Sequence, residues 1–135
     1  MIFVDTGPLL ARWIARDQHH AEARRGWQRL AAGAEGLTTS NFVLDELATL
    51  LARTAGYAFA AERLRGIYAS SAIAVVRPDA EDEIEALDWF EKYAGQAVSF
   101  TDCVSFALMR RRRIAQAFSF DRHFPLAGFP LWGRP

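Results

Sequence analysis

The stretch IFVDTGPLL, residues 2–10, joins a short apolar run to a polar turn and the start of a helix. Ile2–Val4 is apolar throughout, which is typical of a buried strand. Asp5 follows this run directly. Pro8 suits the first turn of a helix because the N–H that proline lacks has no partner there, and helical sequence continues over Leu9–Ala15. The stretch therefore predicts a buried strand that leads through an acidic turn into a helix.

The alternation of short apolar runs and helical segments continues along the chain. Further strands are predicted at Leu37–Thr39, Ile73–Val76 and Ala117–Phe120, with a candidate last strand at Pro130–Trp132. Helices are predicted at His19–Ala32, from Ser40 or Asn41 to Ala55, and at Ala58–Ser70, Ala80–Tyr93 and Thr101–Arg113. This order predicts an α/β fold, with a central, mostly parallel sheet of four to five strands covered on both faces. The length of 135 residues predicts a single domain over residues 1–135.

Composition excludes several classes of protein. The chain has 16 basic and 16 acidic residues, so no overall field attracts nucleic acid, and a local feature would have to hold it. Cys103 is the one cysteine, which excludes an internal disulfide and fits a reducing compartment. The sequence has no apolar run of membrane-spanning length and no evident secretory signal. We therefore expect a cytoplasmic protein with no membrane partner.

Four carboxylates are expected at one edge of the predicted sheet. Asp5 follows the first strand, and Asp121 follows the strand predicted at Ala117–Phe120. Asp102 opens a helix that starts at the same edge, where parallel sheets bind their ligands. Glu46 lies at the margin of an apolar helical stripe, so its carboxylate faces the boundary of the core. The topology therefore predicts a cluster of acids that are far apart in sequence.

A divalent cation would explain why four carboxylates are gathered together. Clustered carboxylates repel one another and raise the pKa of their neighbours. Mg²⁺ or Mn²⁺ removes this conflict, because hard cations bind carboxylate, water and phosphate oxygens. Such an ion suits phosphodiester hydrolysis, since it activates water and stabilises charge on the phosphate. The sequence contains no zinc-type Cys/His spacing, phosphate-binding glycine loop or serine nucleophile elbow that would favour other chemistry.

Ordinary structural roles compete with these assignments. Asp102 could simply cap its helix, and Glu46 could form a surface ion pair. For the candidate metal or substrate contacts Thr6 and Asn41, we favour a turn residue and a helix cap. The three histidines match no ligand pattern, and we assign them to the surface or to packing: His19, His20 and His123.

Two charged segments remain. Arg110–Arg113 end a helix roughly 15 Å from Asp102, so we expect them to solvate the helix end rather than to contact RNA at the acids. Asp79–Tyr93 contains seven acids and one lysine, and we expect a solvated helix face there. Arg122, next to Asp121, is a candidate contact for a substrate phosphate.

The sequence resembles the PIN-domain ribonucleases, and in particular the VapC-type toxins of bacterial type II toxin–antitoxin pairs. The matching stretches are IFVDTGPLL, TTSNFVLDE, VSFTDCVSFALM and AFSFDRHF, in the family's order and over nearly the whole chain. The resemblance implies an α/β/α sandwich, a homodimer, and a VapB-type antitoxin whose C-terminal segment covers the site. It also implies an endoribonuclease in which Asp5, Glu46 and Asp102 hold Mg²⁺ or Mn²⁺. Asp121 would be the fourth acid, and Thr101 would position a water or ligand.

Three other functions stay open on the sequence. A PIN nuclease could act in RNA processing or on DNA without a toxin role. A PIN-like binding module without catalysis is disfavoured by the intact acids. A receiver-like signalling domain would also bind Mg²⁺, but it needs an adjacent pair of acids and a late lysine. Asp5 has no acidic neighbour, and the sole lysine, Lys92, lies in the acidic segment.

Overall fold

The computed structural model describes residues 1–134, which form a parallel sheet flanked by helices. The four strands are β1 Ile2–Val4, β2 Leu37–Ser40, β3 Ile73–Val76 and β4 Gln116–Phe118. Their spatial order is β3–β2–β1–β4, and every neighbouring pair is parallel. The predicted α/β fold with a parallel central sheet is confirmed, and the number of strands agrees with the prediction.

Helices connect the strands throughout residues 1–134. They are α1 Thr6–Trp13, α2 His20–Ala32, α3 Asn41–Ala55, α4 Tyr57–Ala69, α5 Ala80–Lys92, α6 Phe100–Arg112 and α7 His123–Leu126, with a 3₁₀ turn at Ala94–Gln96. Helix α6 packs against α5 and α3, and every residue from Asp102 to Met109 is buried. Within the described residues, no helix combines the length and the apolar composition needed to cross a bilayer.

Helix α1 begins at Thr6, directly after Asp5, so Pro8 lies in its first turn as predicted. The predicted end of the strand before Asp121 was wrong. Strand β4 ends at Phe118 rather than Phe120, so Asp121 does not follow the strand directly. Beyond the end of β4, the hydroxyl of Ser119 bonds to Asp5 and to the N–H of Asp121, which places the chain at the acids.

The last predicted strand is also shorter than expected. Over residues 130–132 the structure forms a single parallel bridge, between Leu131 and Ala117. Two backbone hydrogen bonds hold this segment beside β4, from the N–H of Ala117 to the carbonyl of Pro130 and from the N–H of Trp132 to the carbonyl of Ala117. The bridge therefore extends the edge of the sheet at one position only.

The arginines at the end of α6 bind the acidic helix α5, which the sequence analysis did not anticipate. Arg110 pairs with Glu85. Nη1 of Arg111 lies 2.5 Å from Oδ1 of Asp82, and Nη1 of Arg112 lies 3.3 Å from the same atom. The Asp82 side chain is fully buried. The expectation that both charged segments are simply solvated was wrong, because their charges join α5 to α6.

Gly26 in α2 marks a close approach between this helix and β4. A Cβ atom at this position would lie 2.5 Å from Cζ of Phe118, whose ring is buried. Gly66 in α4 is a matched control, since a Cβ there meets nothing within 4 Å. We expect Gly26→Ala to destabilise the protein by about 1 to 2 kcal/mol despite its better helix propensity. Gly66→Ala should stabilise it by about 0.5 to 1 kcal/mol.

Urea denaturation of both glycine variants measures this difference. Equal free energies of unfolding for Gly26→Ala and Gly66→Ala would contradict the close packing of α2 on Phe118.

Candidate active site

The four predicted acids surround one pocket of about 620 Å³ at the carboxyl edge of the sheet. Asp5 follows β1, and Glu46 lies in the second turn of α3. Asp102 lies in the first turn of α6, and Asp121 lies in the loop between β4 and α7. The parallel topology thus brings together acids from both ends of the chain.

Asp5 stands at the N-terminus of α1 but makes no side-chain capping bond. Its Oδ2 accepts a hydrogen bond of 2.7 Å from the hydroxyl of Ser119. Burial raises the pKa of Asp5 to about 6, although Ser119 and the N–H of Thr6 oppose the shift. The charges of Glu46 and Asp121 add to the rise. Ionised Asp5 is therefore unfavourable in this environment, and a bound cation would stabilise it.

Asp102 is not the N-cap of its helix. Ser99 is, and its hydroxyl accepts a hydrogen bond of 3.1 Å from the N–H of Asp102. The carboxylate of Asp102 instead lines the pocket. Burial, together with the charges of Asp5, Asp121 and Glu46, raises its pKa to about 8. A carboxyl group so perturbed in a pocket marks a candidate functional site.

The supporting residues divide into two groups. Thr6 lines the pocket, and its hydroxyl donates a hydrogen bond of 3.1 Å to Oε2 of Glu46. Arg122 lines the pocket and is exposed. Asn41 and Thr101 lie outside the pocket lining that the described residues form. Asn41 is also not the cap of α3, because Ser40 has that role.

His123 was assigned to the surface or to packing, and the structure contradicts this. Its Nδ1 lies 3.4 Å from Oδ2 of Asp102 and 3.2 Å from Oδ1 of Asp121. His19 also lines the pocket, with its ring stacked 4.3 Å from that of Phe120. His20 packs as expected, with Nδ1 2.6 Å from a backbone carbonyl of α1. The spacing of His123, two residues after Asp121, is the signal that could have identified it.

Ser119 is the second site residue that the sequence analysis missed. It donates to Asp5, and its Oγ accepts a hydrogen bond of 3.0 Å from the N–H of Asp121. It therefore ties two of the acids together from a position with 2% exposure. A lone serine after a strand gives no sequence signal, because its role depends on a contact with a residue at the other end of the chain.

We expect Ser119→Ala to slow RNA cleavage, the activity that the family resemblance implies, about tenfold at neutral pH. The Ser119 hydroxyl lowers the pKa of Asp5, so without it Asp5 ionises at higher pH. The rise in cleavage rate on the acidic side of the pH profile should therefore occur at higher pH. The measurement is the cleavage rate from pH 5.5 to 9. Ser105→Ala is the control, since Ser105 bonds within α6 to the carbonyl of Thr101. A profile that does not move would show that Ser119 does not position Asp5.

Comparisons with known proteins agree with this architecture. The family model described as PIN domain matches residues 2–130. The chain is 39% identical over 129 residues to the 23S rRNA-specific endonuclease VapC20 of Mycobacterium tuberculosis strain H37Rv, and equally to that of strain CDC 1551. The alignment covers 96% of this chain and 95% of the relative.

Solved structures give the same result. The crystal structure of M. tuberculosis VapC20, a sarcin–ricin loop cleaving toxin, superposes with a TM-score of 0.86 at 37% identity, over 96% of each chain. A toxin–antitoxin complex from Klebsiella pneumoniae has a similar fold, with a TM-score of 0.62 at 14% identity over 92% of this chain and 90% of that chain. Since the family model spans almost the whole sequence and VapC20 aligns along nearly its full length, this chain belongs to the PIN domain family.

Proposed function

We propose that the protein is a metal-dependent endoribonuclease and the toxin of a toxin–antitoxin pair. The observation that carries this proposal is the set of four carboxylates around one pocket: Asp5, Glu46, Asp102 and Asp121. Burial and mutual repulsion raise the pKa of Asp5 and of Asp102, which a bound cation would reverse. The 39% identity to an RNA endonuclease supports the same chemistry.

The residues present fit Mg²⁺ or Mn²⁺. Carboxylate oxygens are the ligands that these ions prefer. Nδ1 of His123 is buried beside them and has no hydrogen-bond partner among the described residues, as expected for a site built around an ion. We assign Asp5, Glu46 and Asp102 as metal ligands and Asp121 as a further oxygen donor. When bound, the ion lowers the pKa of a coordinated water and stabilises charge on the phosphate.

The other residues of the pocket have supporting roles in this proposal. Ser119 holds the carboxylate of Asp5, and Thr6 holds that of Glu46, so that both keep a fixed orientation. Arg122 is exposed at the pocket and would pair with a phosphate of the RNA backbone. Thr101 adjoins Asp102 in α6 but does not line the pocket that the described residues form, so we assign it no contact with a bound water or ligand.

The substrate that we propose is the sarcin–ricin loop of 23S rRNA, because the relative VapC20 is described as specific for 23S rRNA and as cleaving this loop. The test incubates the protein and Mg²⁺ with an RNA hairpin that carries this loop, and with a control hairpin whose loop sequence is permuted. We expect one cut, within the natural loop, that leaves 5′-phosphate and 3′-hydroxyl ends. Equal cleavage of both hairpins would contradict the substrate, and cleavage of neither would contradict the activity.

We also propose two partners for this protein, a VapB-type antitoxin and a second copy of the chain. The proposed location is the cytoplasm, where the ribosomes are. The identity to a toxin supports an antitoxin. Exposed apolar side chains on α5 support a contact between copies, since Ile84, Leu87 and Phe90 are 63%, 46% and 45% exposed. Light scattering after size-exclusion chromatography measures the mass of the protein alone, and a monomer at all concentrations would contradict the homodimer.

A further inference from the structure

We infer that His123 is a nitrogen ligand of the metal site and gives this site a preference for Mn²⁺ over Mg²⁺. The inference rests on the metal site of the proposed function. It adds a ligand that differs in chemistry from the carboxylates and that lies on a separate helix, α7.

The position of the imidazole fits a shared ion. One ring nitrogen of His123, one oxygen of Asp102 and one oxygen of Asp121 all lie within 4.8 Å of one another. Two ligands at right angles around an ion, each at about 2.1 Å, are about 3.0 Å apart. Nδ1 lies 3.4 Å from the Asp102 oxygen and 3.2 Å from the Asp121 oxygen. Both distances are close to that value, so Nδ1 is placed to share an ion with either carboxylate.

The bonding of His123 leaves Nδ1 available to an ion. This buried atom has no hydrogen-bond partner within residues 1–134, and a buried polar atom without a partner is costly. The backbone N–H of His123 donates a hydrogen bond of 2.8 Å to Oδ1 of Asp121. Phe124, the next residue, is fully buried in the core. The main chain of His123 is therefore held beside the pocket, while Nδ1 makes no hydrogen bond within residues 1–134.

A competing interpretation is that a protonated His123 forms ion pairs with Asp102 and Asp121. A single positive charge would balance only one of the four carboxylates at the pocket, so most of their repulsion would persist. A divalent ion supplies two positive charges and can also bind the lone pair of Nδ1. The two interpretations differ in one observable, which is a direct bond between the metal and nitrogen.

The identity of the ligand determines the preference among metals. Mg²⁺ favours oxygen ligands and keeps several of its waters, so an imidazole adds little to its binding. Mn²⁺ shares the preference of Mg²⁺ for carboxylate oxygens. As a first-row transition-metal ion, it also accepts an imidazole nitrogen beside those oxygens more readily than Mg²⁺ does. Removing a residue that supports a metal ligand typically lowers metal affinity by about 10-fold to 100-fold, and the loss of a ligand itself should cost at least as much. His123 should therefore strengthen the binding of Mn²⁺ much more than that of Mg²⁺.

The test uses Mn²⁺ alone as the probe, with Mg²⁺ as competitor, on the purified full chain. Pulsed electron paramagnetic resonance detects coupling between bound Mn²⁺ and a ligating ¹⁴N nucleus, and a titration gives the affinity. The variants are His123→Asn and, as a matched control, His19→Asn, because His19 also lines the pocket. Thermal melting checks that both variants fold.

We expect nitrogen coupling in the wild type and in His19→Asn, and none in His123→Asn. The affinity of His123→Asn for Mn²⁺ should fall about tenfold while its affinity for Mg²⁺ changes less than about threefold. Coupling that persists in His123→Asn, or that disappears in His19→Asn, would overturn the inference and leave the proposed function intact. A wild-type protein that binds neither ion would overturn the proposed function itself.

Discussion

Replacing Asp102 by asparagine should reduce RNA cleavage by at least about 10³-fold. The variant keeps the size of the side chain and one oxygen, but it removes the charge that a divalent ion requires. The start of α6 should be unaffected, because Ser99 rather than Asp102 accepts the capping hydrogen bond. The measurement is the single-turnover rate of cleavage at saturating Mg²⁺, with circular dichroism to establish that the variant is folded.

The matched control for this variant is Asp45→Asn. Asp45 precedes Glu46 in α3, but it is exposed and lies outside the pocket lining of the described residues. Its substitution should change the cleavage rate less than about twofold, as is usual for surface positions. An Asp102→Asn protein that cuts within about tenfold of the wild-type rate would remove Asp102 from the site.

Without divalent ions, the protein should lose stability as the pH rises from about 5 to 8. The pKa values of Asp5 and Asp102 are about 6 and 8 in the folded protein, above the ordinary value of 3.8. Between these limits the folded state keeps protons that the unfolded state has released, so raising the pH favours unfolding. We expect a loss on the order of 5 kcal/mol, or roughly 15 °C in Tm, that is complete once the pH exceeds the folded pKa values.

Two comparisons test the origin of this loss. Asp102→Asn should flatten the pH profile and melt at a higher temperature than the wild type at pH 8 without metal. Saturating Mg²⁺ should raise the Tm of the wild type more at pH 8 than at pH 5, because the ion binds the ionised carboxylates. Superimposable Tm profiles of the wild type and Asp102→Asn in EDTA would contradict the account of Asp102.

Local pattern was enough to predict the fold and the gathering of the acids. The apolar run Ile2–Val4 identified strand β1, and the run Ile73–Val76 gave both ends of β3 correctly. Asp5 could be placed at the carboxyl edge because it directly follows a strand, and the carboxyl ends of parallel strands lie at one edge of the sheet. Glu46 could be placed at the core margin from helical spacing alone.

Contacts between distant segments were beyond the reach of local pattern. His123 lies beside Asp102 of α6, and Ser119 bonds to Asp5, which follows β1. These partners are distant in sequence and meet only in the folded chain. Likewise, Arg111 binds Asp82 because α5 and α6 lie side by side. The sequence left the cap of α6 open, because Ser99 and Asp102 both suit the start of a helix and backbone geometry decides between them.

The most direct test of the central claim is cleavage of a labelled pool of total RNA by the purified protein, with Mg²⁺, with Mn²⁺ and with excess EDTA. The claim is that the carboxylates around the pocket cut RNA through a bound divalent ion. We predict cleavage with either ion, none in EDTA, and recovery when the ion is restored in excess. Cleavage that continues unchanged in EDTA, or no cleavage with either ion, would contradict it.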